Sequence, residues 1–155
     1  EAYNEESAYL MVHMLRGATE EKGGTALGLN RWGLLWNGAE IGGKTGTTQN
    51  YSDGWFMGIT SHLTAGAWVG GDDRSIHFRR MDDGQGARMA MPIWAIFMNK
   101  VYADPTTGIK KDRFPRPANA LSVEIDCKKY KDKNMQNGDS TVYQQNTKQD
   151  IPDDF

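Results

Sequence analysis

The chain is poor in the residues that usually announce a disulfide scaffold, a metal site or a membrane span. Cysteine occurs once in 155 residues, at Cys127, which excludes an internal disulfide framework. Histidine occurs three times, at positions 13, 62 and 77, without the close spacing of a zinc site, so neither a metal nor a cofactor is expected. No run of about eighteen apolar residues is present, so this stretch holds no spanning helix. A net charge of −2 provides no field for nucleic acid or an anionic membrane, and no nucleic-acid partner is expected. No signal peptide opens the sequence, and its first residue is Glu rather than Met; both fit a segment of a longer protein.

Glycine is abundant, with 18 residues, and the most informative stretch is Gly42-Gly43-Lys44-Thr45-Gly46-Thr47-Thr48. Two readings compete for it. Gly38, four residues, then Gly43-Lys44-Thr45 fits the phosphate-loop pattern G-x-x-x-x-G-K-[ST]. That loop needs a helix directly after it, because the helix N-terminus supplies amides and dipole to the phosphates. Gly46 and the β-branched Thr47 and Thr48 disfavour one, and Asn50, Ser52, Asp53 and Gly54 are turn formers. The other reading is an exposed strand. Side chains alternate along a strand, so Thr45 and Thr47 share one face and Lys44 takes the other. Paired hydroxyls on one face suit a carboxylate, and Gly46 lets a ligand backbone approach closely. K-T-G also occurs as a signature of serine β-lactamases and penicillin-binding proteins.

The remaining elements follow from periodicity. Asn4 is an N-cap with Glu5 and Glu6 in the first turn, and Ala8, Met11, Val12, Leu15 and Ala18 recur at helical spacing, predicting a helix over about 5–16 closed by Gly17. Residues 19–38 read as loops with one short helix near Leu27–Trp32, and Trp32 and Trp36 as packing residues. Strands are expected over 39–47, 54–60 and 63–70, joined by a loop at 48–52 and a tight turn at Ser61-His62. The middle strand, apolar on both faces, reads as covered on both sides. Residues 72–86 form a loop in which arginines 74, 79 and 80, with Arg88 just beyond it, pair with Asp72, Asp73, Asp82 and Asp83. A second helix over 87–102 carries Met89, Ile93, Phe97 and Val101, with Ala90 and Ile96, as its buried stripe. Leu121, Val123 and Ile125 alternate as a short strand would, and 128–155 is too polar to bury much, so a mobile tail is expected.

The order K-T-G-T-T, then Asp53-Gly54-Trp55-Phe56-Met57-Gly58, then Trp68-Val69-Gly70, then Ala90-Met91-Pro92-Ile93-Trp94 resembles the C-terminal part of the transpeptidase domain of class A penicillin-binding proteins. The resemblance covers about residues 3–117. It implies an α+β fold, a fragment of the β-lactamase/transpeptidase-like architecture with an antiparallel sheet of about three strands packed against helices, followed by a polar extension over 118–155. It implies that Lys44 aids proton transfer and charge balance beside the active-site serines. It further implies that Thr45 and Thr47 hold the terminal carboxylate of a D-Ala-D-Ala stem peptide, that Gly46 is a substrate-binding residue beside them, and that the Thr47 N–H serves the oxyanion. β-Lactams mimic that peptide end. The implied location is the extracytoplasmic face of a bacterial inner membrane. None of the six serines (7, 52, 61, 75, 122, 140) has Lys three residues later or Asn two residues later. Both S-x-x-K and S-x-N precede K-T-G in the family, so the chain is expected to carry one wall of an active site, to be inert alone, and to need the N-terminal part of the same protein. A sheet cut in this way exposes an edge, and a homo-oligomer of the fragment is expected. The alternatives are a non-catalytic binding module of the same fold and a phosphate-loop nucleotide-binding protein.

Overall fold

The computed structural model of the chain describes residues 3–126 and Lys129. Two units are distinguished, Glu1–Pro117 and Ala118–Phe155. The first holds helix α1 (Glu5–Glu20), a 3-10 segment at Leu27–Trp32, strands β1 (Gly42–Thr47), β2 (Asp53–Ile59) and β3 (Thr64–Gly70), a short helix α2 (Met81–Gly84), helix α3 (Gly86–Ala103) and a last 3-10 turn at Pro105–Thr107. The strands form one antiparallel sheet in the order β1-β2-β3. Register runs from Gly42↔Ile59 to Thr47↔Gly54 on one side and from Asp53↔Gly70 to Ile59↔Thr64 on the other. The fold is the expected α+β arrangement of an antiparallel sheet packed against helices.

Helix α1 starts as its sequence dictates, with the Asn4 side chain accepting from the Ser7 amide at 2.7 Å and two acids in the first turn. It does not stop at Gly17. Arg16 and Glu20 form an i,i+4 ion pair at 2.9 Å across the glycine, and the Thr19 hydroxyl donates to the Ile41 carbonyl, which anchors the last turn to the chain entering β1. These polar anchors also set which face is inside. Tyr9 and Thr19 are buried and Leu15 packs against Gly42, whereas Ala8 and Met11, assigned to the apolar stripe, are exposed. Strand β1 begins at Gly42 rather than Ala39, because the preceding residues pair elsewhere: the Glu40 amide donates to the Asp112 carbonyl at 3.0 Å, and the Glu40 carboxylate accepts from the Phe114 amide at 3.0 Å.

The core lies between the sheet and α3. Phe56 is fully buried and meets Trp94 edge-on, with ring centroids 5.2 Å apart. Gly58 makes the recess for that indole: a Cβ there would lie 2.3 Å from the Trp94 ring. The indole N–H then donates to the Ala65 carbonyl at 3.1 Å. This recess corrects the expected stripe of α3. The buried face is Ala90, Met91, Trp94, Ala95, Met98 and Val101, while Ile93, Ile96 and Phe97 are about half exposed. The helix is apolar on nearly every side, so a period of four could not choose among its faces.

Four further expectations fail. The middle strand is covered on one side only: Trp55 and Met57 of β2, with Trp68 of β3, are exposed on the opposite face. Trp36 is also exposed, at a left-handed φ of 57°, whereas Trp32 packs against the core as expected. Ahead of α3, Arg80 pairs with Asp83 of α2 at 3.2 Å, and Arg74, Arg79 and, in α3 itself, Arg88 have no carboxylate partner among the described residues. In the second unit, Leu121, Val123 and Ile125 do not form a strand; the segment bends at Ser122-Val123. The tail expected to be mobile, 128–155, lies outside the described residues apart from Lys129.

Candidate functional site

Strand β1 is an edge of the sheet, and the ladder fixes which of its backbone groups are free. The Thr48 amide donates to the Asp53 carbonyl at 3.1 Å, extending the β1–β2 register by one hydrogen-bonded pair. Hydrogen-bonded and non-hydrogen-bonded pairs alternate along an antiparallel ladder. Residues 42, 44, 46 and 48 therefore turn their amides and carbonyls to β2, and those of Gly43, Thr45 and Thr47 face the open edge.

Side chains alternate in the other direction. Thr45 and Thr47 share the α3 face with their opposite numbers Phe56 and Gly54, and Lys44 lies on the exposed face with Met57. The lysine nevertheless reaches the same edge, because its Nζ donates to the Thr45 carbonyl at 2.8 Å. The two threonines differ. The Thr47 hydroxyl oxygen accepts from the Gly86 amide, the first of α3, at 3.0 Å. The Thr45 hydroxyl has no hydrogen-bond partner among the described residues. Gly46 lacks a side chain on the Lys44 face, where a Cβ would lie 3.2 Å from the Trp55 Cβ. All four residues assigned to the site thus meet at one strand edge, with ammonium, hydroxyl and amide donors converging there.

The next residue does something different. Thr48 turns inward: its hydroxyl oxygen accepts from the Ser52 and Asp53 amides at 3.1 and 3.0 Å. That closes the loop which returns the chain to β2, with Tyr51 held at a left-handed φ of 58°. Beside the edge lies an open groove of about 490 Å³, whose walls include Thr25, Thr45, Thr47, Gln49, Tyr51 and Gln85. Gln49, Gln85 and Gly86 were not singled out from sequence. Gln85 and Gly86 read there as loop, and the helical pattern that begins just after them was the available signal.

The phosphate-loop reading is overturned. Gly43, Lys44 and Thr45 lie inside a strand, and the chain after Thr47 turns into a loop and then β2, with no helix to receive phosphates.

A second groove, of about 540 Å³, lies between α1 and the residues around Arg113 and Arg116. In it Arg16 contacts both Glu20 at 2.9 Å and Glu40 at 3.0 Å, whereas Arg113 and Arg116 have no ion pair among the described residues. Burial works against the Arg16 charge, but the two carboxylates outweigh it and raise its pKa. His62 approaches Asp112 at 3.5 Å. Among the described residues no group of three or more His, Cys, Asp or Glu is placed to hold a metal ion, and no helix is long and apolar enough to cross a membrane.

No protein-family model matches the chain. Its sheet, its flanking helices and its similarities to known proteins define a transpeptidase-like segment, and the chain belongs to the class A penicillin-binding proteins. Within that family it is similar to penicillin-binding protein 1A. It is 35% identical over 120 residues to penicillin-binding protein 1A of Pseudomonas aeruginosa, covering 77% of this chain and 13% of that protein. It is 34% identical over 88 residues to penicillin-binding protein 1A of Aquifex aeolicus, covering 57% and 11%. The crystal structure of penicillin-binding protein 1A from Haemophilus influenzae superposes with a TM-score of 0.54 at 28% identity, over 75% of this chain and 16% of that one. The chain therefore spans 11–13% of the length of these curated relatives.

Proposed function

We propose that this chain forms one wall of the active site of a peptidoglycan D,D-transpeptidase, in which residues 1–117 belong to the transpeptidase domain and 118–155 are a polar extension. The intact enzyme cross-links stem peptides by serine acyl transfer at the extracytoplasmic face of the bacterial inner membrane. The observation that carries this reading is the open edge of β1, where the Thr45 and Thr47 amides, the Thr45 hydroxyl and the Lys44 ammonium converge.

Such an edge fits a negatively charged peptide end beside a reacting carbonyl. Thr45 and Thr47 bind the terminal carboxylate of a D-Ala-D-Ala stem peptide, and Gly46 keeps the strand narrow where the peptide runs alongside. The outward Thr47 amide donates to the developing oxyanion; loss of one such donor costs on the order of 10²–10³ in rate. Lys44 balances charge and assists proton transfer at the nucleophile. That nucleophile is supplied by another part of the same protein, since no serine here stands in S-x-x-K. β-Lactams bind through the same groups, because their carboxylate and lactam carbonyl copy the peptide end.

Labelling with a fluorescent penicillin tests this directly. The isolated chain is expected to stay unlabelled, and the same segment within a longer protein that carries S-x-x-K to label covalently. Covalent labelling of the isolated chain would place a nucleophile inside it and sink the reading.

A further inference from the structure

Gly86 opens α3 at the point where the helix meets the sheet, and it is held there from two sides. A Cβ at this position would lie 2.4 Å from the carbonyl oxygens of both Gly46 and Trp55, so even alanine would push the helix off the strands. The helix also lacks an ordinary side-chain cap: Gln85 makes no capping hydrogen bond, and the Gly86 amide donates to the Thr47 hydroxyl at 3.0 Å instead.

This contact fixes what the hydroxyl can do. A threonine hydroxyl has one proton to donate and two lone pairs. In Thr47 a lone pair is engaged by the helix, and the proton has no acceptor among the described residues. The positive end of an 18-residue helix also lies against that oxygen, which strengthens the O–H as a donor. Thr45 is the internal contrast, on the same face but without an anchor.

The geometry points to Gly86 as a positioning residue for Thr47: its amide locks the side-chain rotamer and leaves the hydroxyl proton free for a ligand at the β1 edge. This rests on the reading above that Thr47 grips the carboxylate of a peptide. Gly86 itself touches no substrate.

The test uses the full 155-residue chain, isotopically labelled, with N-acetyl-D-alanyl-D-alanine as probe. Three-bond couplings report the Thr47 rotamer, and amide shifts at 45–48 report probe affinity. Wild type is expected to hold one rotamer. Gly86→Ala is expected to show averaged couplings and about tenfold weaker binding, the scale of one hydrogen bond to a charged acceptor. Because Gly86→Ala can disturb folding, a second pair of variants carries the test independently. Thr47→Val is expected to speed Gly86 amide exchange and match the affinity loss, while Thr47→Ser keeps the amide protected and recovers most of the affinity. Equal probe affinity in wild type and Gly86→Ala, or averaged couplings in wild type, overturns the positioning role and leaves the peptide-wall reading standing. A locked Thr47 in a wild-type chain that shows no probe-induced shift overturns the peptide-wall reading and, with it, the role given to Gly86.

Discussion

The two faces of the sheet use glycine for opposite purposes. On the α3 face the sheet is hollow and the helix fills it: a Cβ at Gly58 would lie 2.3 Å from the Trp94 ring, and one at Gly54 would lie 2.5 Å from the Met89 methyl. On the other face the sheet supplies its own bulk. Met57 lies against Gly66 and Trp68 against Gly70, each glycine leaving room for which a Cβ would compete at 2.4 Å. Trp55 and Trp68 then sit 6.3 Å apart, tilted and exposed. A glycine in a strand is therefore not one signal: it is a socket for another element on the first face and a bed for the strand's own neighbours on the second. The first face holds the fold together. The second carries Lys44, and between them runs the edge with the site residues.

The contrast predicts unequal losses for the same substitution. Trp94→Ala removes a buried indole, its contact with Phe56 and its hydrogen bond to Ala65, and is expected to cost about 3–5 kcal/mol in urea unfolding. Trp55→Ala, on the exposed face, is expected to cost under about 1 kcal/mol. Equal losses would mean that the exposed face is packed in solution. The glycines give the next effect. Gly58→Ala drives a methyl into a ring that cannot move and is expected to cost about 1–3 kcal/mol. Gly46→Ala meets the Trp55 Cβ at 3.2 Å, a looser approach than the 2.3 Å at Gly58 although that atom is fixed to the strand, so its cost is expected to be smaller, about 1 kcal/mol.

The threonines give the third effect, and a smaller one. Thr47→Val removes the acceptor that caps α3 and is expected to cost about 1 kcal/mol, the usual value of a helix cap. Thr45→Val removes a hydroxyl with no partner and is expected to leave the urea midpoint nearly unchanged. A cost at Thr45 equal to that at Thr47 would show that capping is not what separates them.

How far the sequence could be read follows the same division. The strands were legible because alternation and turn residues agree: Ser61-His62 between two apolar runs, and Asn50, Ser52 and Asp53 before the second. The candidate site residues could be placed together because they are contiguous in one strand. The buried face of α3 was not, because Ile93 and Trp94 are both apolar and only Gly58, more than thirty residues earlier, decides between them. The end of α1 was missed for a similar reason: Gly17 reads as a stop, and the contacts that override it reach to Glu20 within the helix and to Ile41 beyond it. Gly86 was read as loop because the contact that fixes it, with Thr47, lies 39 positions away. Local chemistry was visible wherever it decided the outcome alone, and not where a distant residue decided it.

A small expected effect on stability also falls on a residue with a large proposed role. Lys44 is exposed, and its Nζ bonds the carbonyl of the neighbouring residue at 2.8 Å, a contact that water can replace. Lys44→Ala is therefore expected to shift unfolding by no more than about 0.5 kcal/mol. In a longer protein carrying the same segment, the same substitution is expected to slow penicillin acylation strongly, because in the proposed reaction the ammonium balances charge and takes no part in packing. Calorimetry and acylation kinetics on one variant separate the two roles. A loss of stability above about 1 kcal/mol with acylation unchanged would make Lys44 a brace for the strand edge, and the donors at β1 would then have to act without a fixed cation beside them.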